Sequence, residues 1–252
     1  MYEAKEKKVV YYPGCFANYW DPQIGRAVVH ILERNGFQVI VPKHRCCGIA
    51  RIGYGDFNGA RKEAARLVDA LFALVEQGYD IVTACPSCSL AIKEEYSFLL
   101  NSDKAKLVSE RTYSLSRYLN ELHEKGELNT DFKRISLSVA YHTPCHLKAQ
   151  GLDGDFIKLM SLIPGLQVID LDRGCCGMAG TVGFKHRYYE SSMSIGSALS
   201  ERIKEVSAQI VATDCGGCKM QIEQAANVEV THPAILLDKA YLNEFLPPYH
   251  LY

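Results

Sequence analysis

The sequence predicts an α/β fold built as two duplicated lobes, each a small parallel sheet flanked by helices with cysteine loops at its carboxyl edge. Three observations lead there. The ten cysteines fall at positions 15, 46, 47, 85 and 88 and again at 145, 175, 176, 215 and 218. Five positions thus recur in one order at offsets of 130, 129, 129, 130 and 130, the mark of an internal duplication. Flanking residues repeat as well: 12–15 (YPGC) matches 142–145 (HTPC), 46–50 (CCGIA) matches 175–179 (CCGMA), and 84–88 (ACPSC) matches 214–218 (DCGGC). Finally, each cysteine group follows a short β-rich run, and amphipathic helical stretches separate the runs.

Taken in order, residues 9–12 read as a strand ending at Cys15, residues 24–32 as a helix, and residues 37–41 as a strand leading into Cys46 and Cys47. Residues 58–77 carry Leu67, Val68, Leu71, Phe72 and Val75 on one face and Arg61, Lys62, Glu63, Arg66 and Asp69 elsewhere, a long amphipathic helix. Residues 80–84 form a third strand before Cys85, and a helix follows over 90–99. The second copy repeats the strands at 137–141, 166–171 and 210–213, before Cys145, Cys175 and Cys215. Alternating strands and helices make Rossmann-like units with right-handed crossovers, so all loops after strands lie along one edge of the sheet, where such sheets place their sites. The expected lobes are residues 1–130 and 131–252.

Composition narrows the function classes. The 252 residues carry 28 Lys+Arg against 29 Asp+Glu, a formal net charge of -1, with 48% hydrophobic and 23% charged residues. This is ordinary globular usage and excludes disorder as the main state. A near-zero charge argues against a broad nucleic-acid footprint. The most apolar stretch, residues 67–75, is broken by Asp69, far short of the roughly 20 apolar residues of a transmembrane helix. Residues 1–8 lead directly into the first strand without the apolar stretch of a signal peptide, so a cytoplasmic compartment is expected.

In a reducing compartment, so many cysteines point to metal binding or catalysis rather than disulfides. Adjacent Cα atoms lie about 3.8 Å apart, below the usual disulfide range, so Cys46–Cys47 and Cys175–Cys176 are not ordinary bridges. A thioredoxin-like reading of Cys85 and Cys88 leaves three cysteines per copy unexplained. A tetrahedral zinc takes four ligands, leaving one thiolate over; zinc in one copy stays open on ligand type. An iron–sulfur cluster offers separate irons to adjacent thiolates, and a fifth thiolate then suits a cluster that is not a simple cubane.

Two copies of Cys…Cys-Cys-Gly…Cys-x-x-Cys resemble the paired cysteine-rich CCG domains of heterodisulfide reductase and its relatives. Residues 14–19, 175–185, 213–223 and 232–233 resemble the C-terminal part of the cysteine-rich subunit of anaerobic glycerol-3-phosphate dehydrogenase. The resemblance covers nearly the whole chain. It implies two [4Fe-4S]-type, noncubane clusters, one held by Cys15, Cys46, Cys47, Cys85 and Cys88, the other by Cys145, Cys175, Cys176, Cys215 and Cys218, with zinc as the alternative in the first site. It further implies an iron–sulfur electron-transfer subunit of an oxidoreductase complex, peripheral to the membrane. A ferredoxin-like or flavin dehydrogenase partner would supply electrons, and quinone would accept them. The alternatives are a catalytic disulfide reductase subunit, with an organic disulfide between the two clusters, and a zinc-stabilised structural module. The first gaps, from Cys15 to Cys46 and from Cys145 to Cys175, are slightly shorter than the family's commonest spacing. The ferredoxin-type C-x2-C-x2-C-x3-C runs of the dehydrogenase subunit do not occur in this sequence.

Several neighbours bear on the sites. Gly216 and Gly217 are placed to turn N–H groups toward sulfur, and helix N-termini after Cys88 and Cys218 favour thiolate charge. His142, His146 and His232 fall near the second site and are expected in hydrogen-bonding rather than ligating roles. Arg51 is placed to balance charge at the first site. The 15 tyrosines and Trp20 are expected mostly to pack in the core. Lys93, Glu94, Glu95, Lys104 and Lys106 read as a solvated face, and residues 245–252 as an aromatic segment covering a lobe or a partner.

Overall fold

A computed structural model describes residues 7–43 and 45–242. The aromatic segment 245–252 and most of the first eight residues lie outside the described residues. The first copy runs β1 (Lys7–Tyr11), a π-helical turn at Phe16–Trp20, α1 (Pro22–Arg34), β2 (Phe37–Ile40), α2 (Ile49–Gly53), α3 (Phe57–Val75) and β3 (Asp80–Thr83). It continues with α4 (Pro86–Leu90), α5 (Tyr96–Leu100), α6 (Asp103–Glu110), β4 (Thr112–Ser114) and α7 (Leu115–Glu124). The second copy has β5 (Leu137–Tyr141), α8 (Cys145–Lys148), α9 (Asp155–Ser161), β6 (Leu166–Asp170) and α10 (Tyr189–Val206). It continues with β7 (Ile210–Ala212), α11 (Gly216–Ala226), β8 (Val230–Thr231) and α12 (Pro233–Leu242).

Among the described residues, two four-stranded sheets result, ordered β2-β1-β3-β4 and β6-β5-β7-β8, with every pairing parallel. The duplicated Rossmann-like architecture and the six expected strands are therefore present. Each sheet gains one strand that the sequence reading does not contain. β4 spans only three residues and β8 two, too few to establish an alternating pattern.

Both central strands are buried through Val9, Val10 and Tyr11 and through Val139, Ala140 and Tyr141. Helix–sheet layers of each copy form outer cores, one around Leu67, Leu71, Ile81 and Ile92, the other around Leu171, Leu199 and Ile222. A third core belongs to both copies, joining Ile24, Val28 and Leu119 to Phe156, Leu159 and Leu236. There α1 packs on α12, and α7 packs on α9. Because α1 and α9 occupy equivalent places in the duplication, as do α12 and α7, the two copies meet as halves of an isologous dimer would.

Polar groups pin this interface. His30 of α1 pairs with Asp238 of α12. Arg117 of α7 lies 3.1 Å from the buried Asp155 carboxylate at the start of α9. Asn120 donates to the Asp155 carbonyl at 2.9 Å. The shared core fixes the two carboxyl edges relative to each other, which is what positions the cysteine loops.

Candidate functional site

Each cysteine sits on a loop or helix start just beyond a strand. β1 and β5 lead to Cys15 and Cys145, β2 and β6 to Cys46–Cys47 and Cys175–Cys176, and β3 and β7 to Cys85 and Cys215. The last two are the N-cap residues of α4 and α11, each followed by a first turn that carries Cys88 or Cys218. The helix expected over 90–99 thus begins earlier, at Pro86, where proline suits the first helical position because its missing N–H is not needed. The helix N-termini therefore lie at Cys85 and Cys215, one turn before the expected positions after Cys88 and Cys218.

The first quintet is gathered. The Cys47 and Cys88 sulfurs stand 3.5 Å apart, and thiol contacts link Cys15 to Cys46, Cys46 to Cys47, and Cys88 to Cys85. The second is gathered too: Cys175 contacts Cys176, Cys176 contacts Cys218, and Cys218 contacts Cys215. Cys145 is held beside Cys215 and Cys176. Gly14 shows how tight the first pocket is: its φ is +68°, and a Cβ there would lie 2.8 Å from the Cys88 sulfur.

In each pocket one or two thiols are drawn toward the anion while their neighbours are held as thiols. Thiol donors, first Cys15 and then Cys47, together with the Gly48 N–H and the Arg51 charge, pull the Cys46 thiol far below its ordinary value. Cys47 moves up, because its thiol donates to Cys46 and is buried. In the second copy the roles reverse: Cys176 is pulled down by donors Cys175 and Cys218, and Cys175 is pushed up. Cys85 is drawn down to about 7, chiefly by the Cys88 thiol and then by the N–H groups of Cys88 and Ser87 against the effect of burial. The Gly48 and Gly177 N–H groups reach the Cys46 and Cys175 sulfurs at 3.4 and 3.3 Å. Five converging sulfurs, with one of each adjacent pair poised as thiolate, fit a soft, multi-metal group better than a single tetrahedral ion.

The two sites share a cleft of about 620 Å³ between the copies. All five second-copy cysteines line it, whereas only Cys15 and Cys85 of the first do. Its remaining walls are mainly apolar, with Phe16, Trp20, Ile49, Ile52, Met178 and Val182 among them. Trp20 and Tyr19 are 63% and 78% exposed, so they face this cleft instead of packing inside, in contrast to Tyr11, Tyr12, Tyr96 and Tyr141, which are buried as expected.

The structure separates the neighbours that sequence could only group. His232 accepts from the Ala234 N–H at Nδ1, and its Nε2 lies 3.2 Å from the Ala84 carbonyl of the other copy. It is a bridge between copies. His146 lines the cleft, tied through Nδ1 to the Ser87 hydroxyl of the first copy at 2.8 Å. His142 faces the Cys176 and Cys218 sulfurs. Arg51 lies near Cys46 but spends its charge mainly on Glu63 and Asp56.

Gly216 is required for a reason other than its N–H, since a Cβ there would lie 2.2 Å from the Phe16 ring. Lys93 leaves the supposed solvated face to donate to the Thr112 carbonyl at 2.9 Å. Sequence reasoning missed the contact that closes the cleft. The Thr181 hydroxyl lies 2.7 Å from the Tyr54 hydroxyl, which reaches the Thr181 carbonyl at 3.0 Å, and Lys185 covers the Tyr54 ring. Its only sequence signal is that both loops follow a Cys-Cys-Gly. Among the described residues, no helix is long and apolar enough to cross a membrane.

Similarity to known proteins agrees with this geometry. An anaerobic glycerol-3-phosphate dehydrogenase subunit of Escherichia coli (strain K12) is 36% identical over 92% of the chain, which spans 59% of that relative's length. One subunit of the fumarate reductase (CoM/CoB) of Methanothermobacter marburgensis is 28% identical over 94% of the chain and 47% of its own length. Lactate utilization protein A 2 of Bacillus cereus (strain ZK / E33L) is 27% identical, with 92% of the chain and 98% of the relative covered. A putative Asp/Glu racemase structure from Yersinia pestis, covering 94% of this chain and 98% of its own, overlays at a TM-score of 0.41 with 13% identity, too distant a likeness to carry an argument. The CCG cysteine-rich domain matches twice, over residues 9–93 and 139–223, each span holding one whole quintet. The chain belongs to the CCG cysteine-rich domain family.

Proposed function

We propose that this chain is an iron–sulfur electron-transfer subunit of an oxidoreductase complex, built from two CCG domains, residues 1–130 and 131–252. Cys15, Cys46, Cys47, Cys85 and Cys88 hold one noncubane cluster of the [4Fe-4S] type. Cys145, Cys175, Cys176, Cys215 and Cys218 hold the other. One observation carries the reading: both quintets open on a single cleft, which all five second-copy cysteines line. Such clusters, when bound, take up and release electrons one at a time.

The chain's own residues do the rest. Burial of Cys47, Cys88, Cys176 and Cys218 keeps water from those four sulfurs, and the N–H groups of Gly48 and Gly177 donate to the Cys46 and Cys175 sulfurs, hydrogen bonds of the kind that tune a cluster. The apolar walls around Trp20 and Phe16 suit an acceptor of low polarity, such as quinone. Electrons arrive from a ferredoxin-like or flavin dehydrogenase partner, and the complex is peripheral to the inner face of the membrane. Zinc in the first site is the weaker assignment, because the fifth gathered thiolate has no place on a tetrahedral ion.

A second reading, an organic disulfide reduced between the sites, is favoured by the position of the cleft between the two quintets. Anaerobic reduction of the loaded protein followed by one oxidant at a time separates the two. Cluster reoxidation by a quinone analogue alone supports relay. Reoxidation by an organic disulfide with thiol release supports catalysis. Response to neither overturns both.

A further inference from the structure

We propose that His142 is a ligand of the second site, so that the two sites differ in kind: five thiolates in the first copy, five thiolates and an imidazole in the second. This rests on the iron–sulfur reading above. Two positions made equivalent by the duplication carry it. Tyr12 and His142 each stand three residues before the first cysteine of their copy, directly after the strands β1 and β5. Their backbones do the same thing: the Tyr12 N–H donates to the Val82 carbonyl at 2.8 Å, and the His142 N–H to the Ala212 carbonyl at 2.9 Å.

Their side chains diverge. The Tyr12 hydroxyl turns to the Arg45 carbonyl at 2.6 Å. The His142 ring, 3% exposed, places a nitrogen with the Cys176 and Cys218 sulfurs, the three atoms all within 4.8 Å of one another. Metal bonds of about 2.0 Å to imidazole nitrogen and about 2.3 Å to sulfur set ligand atoms of one tetrahedral metal roughly 3.5–4 Å apart. The imidazole nitrogen therefore lies close enough to share one metal with either sulfur with little adjustment. The other two histidines are committed elsewhere, His232 through both ring nitrogens and His146 to Ser87.

The chemical consequence is a difference between the two sites. A neutral imidazole adds a donor without adding negative charge, so two sites alike in thiolate number differ in the ligands of one metal, and the differing one is the site whose cysteines all line the cleft.

The test is pulsed EPR of anaerobically purified, cluster-loaded protein in a paramagnetic state, with histidine labelled by 15N. Wild type is expected to show a strong nitrogen coupling that changes from the 14N to the 15N pattern on labelling. His142→Gln is expected to lose it and to shift the midpoint potential of one cluster, while His146→Gln keeps the coupling and leaves both potentials in place. Absence of the coupling from wild type, a measurement that needs no variant to fold, overturns the proposal, as does its persistence in His142→Gln. Iron and sulfide analysis of the same sample reports separately on the cluster reading. If the metal proves to be zinc, that reading fails, and absorption spectroscopy at the zinc edge decides whether nitrogen is among the ligands.

Discussion

The glycine after each cysteine pair is predicted to matter unequally in the two copies. Gly48 and Gly177 both have left-handed backbones, with φ of +75° and +91°. An alanine in that region costs about 1–2 kcal/mol from contact of its Cβ with the backbone. At Gly48 there is little else, since the nearest atom to a new Cβ is Glu63 Oε2 at 3.1 Å, the end of a flexible side chain. At Gly177 the Cβ would lie 2.0 Å from the Ser192 carbonyl oxygen and 3.0 Å from the Gly196 nitrogen, both backbone atoms of α10.

That helix grips the loop. Ser192 Oγ donates to the Gly177 carbonyl at 2.8 Å, and Gln221 donates to Ser192 Oγ at 3.1 Å. Overpacking of this sort adds about 1–3 kcal/mol. Gly48→Ala is thus expected to lose about 1–2 kcal/mol and Gly177→Ala about 2–5 kcal/mol, the latter with loss of metal from the second site. Urea unfolding of reduced, metal-free protein gives the stabilities. Equal losses, or a larger one at Gly48, would refute the packing argument.

Other consequences can be checked together. Burial lowers the His232 pKa to about 4, so below its ordinary value near 6.5 the unfolded chain binds the proton first, and stability falls as pH drops from about 6.5 toward 4, by about 3 kcal/mol at most. Asp214, raised to about 7 by burial, acts oppositely over this range, so the effect is best read as the difference between wild type and His232→Gln in acid unfolding. Phe156, 1% exposed and edge-on to the His232 ring, is expected to cost about 3–5 kcal/mol on truncation to alanine, and unfolding of both copies as one transition would reflect their shared core. Tyr54→Phe removes the contact with Thr181; stability should change by about 1 kcal/mol or less, while a chelator should strip metal faster because the cleft is less closed. An unchanged stripping rate would remove Tyr54 from that role.

Much of this molecule is legible in its sequence because cysteine chemistry and strand order are both local patterns. The repeat of five cysteines reveals the duplication, and the runs ending at Tyr12, Val41 and Ala84 place each group beyond a strand, which topology then converts into proximity. The hidden features depend on contacts between the copies. The pairing of α1 with α12 needs the third dimension, as does the seat of the Phe16 ring over Gly216. Trp20 reads as core because aromatic residues usually pack there, yet the turn at Phe16–Trp20 carries it to the cleft wall. The three histidines share a sequence neighbourhood, and only their partners tell them apart.

Whether each half of the chain holds its own iron–sulfur cluster is tested most directly by iron and acid-labile sulfide counts on anaerobically purified wild type, Cys47→Ser and Cys176→Ser. Iron and sulfide are expected in wild type, with each substitution diminishing one half's share and leaving the other intact. Wild-type protein carrying zinc and no labile sulfide, or either substitution emptying both halves, would contradict it.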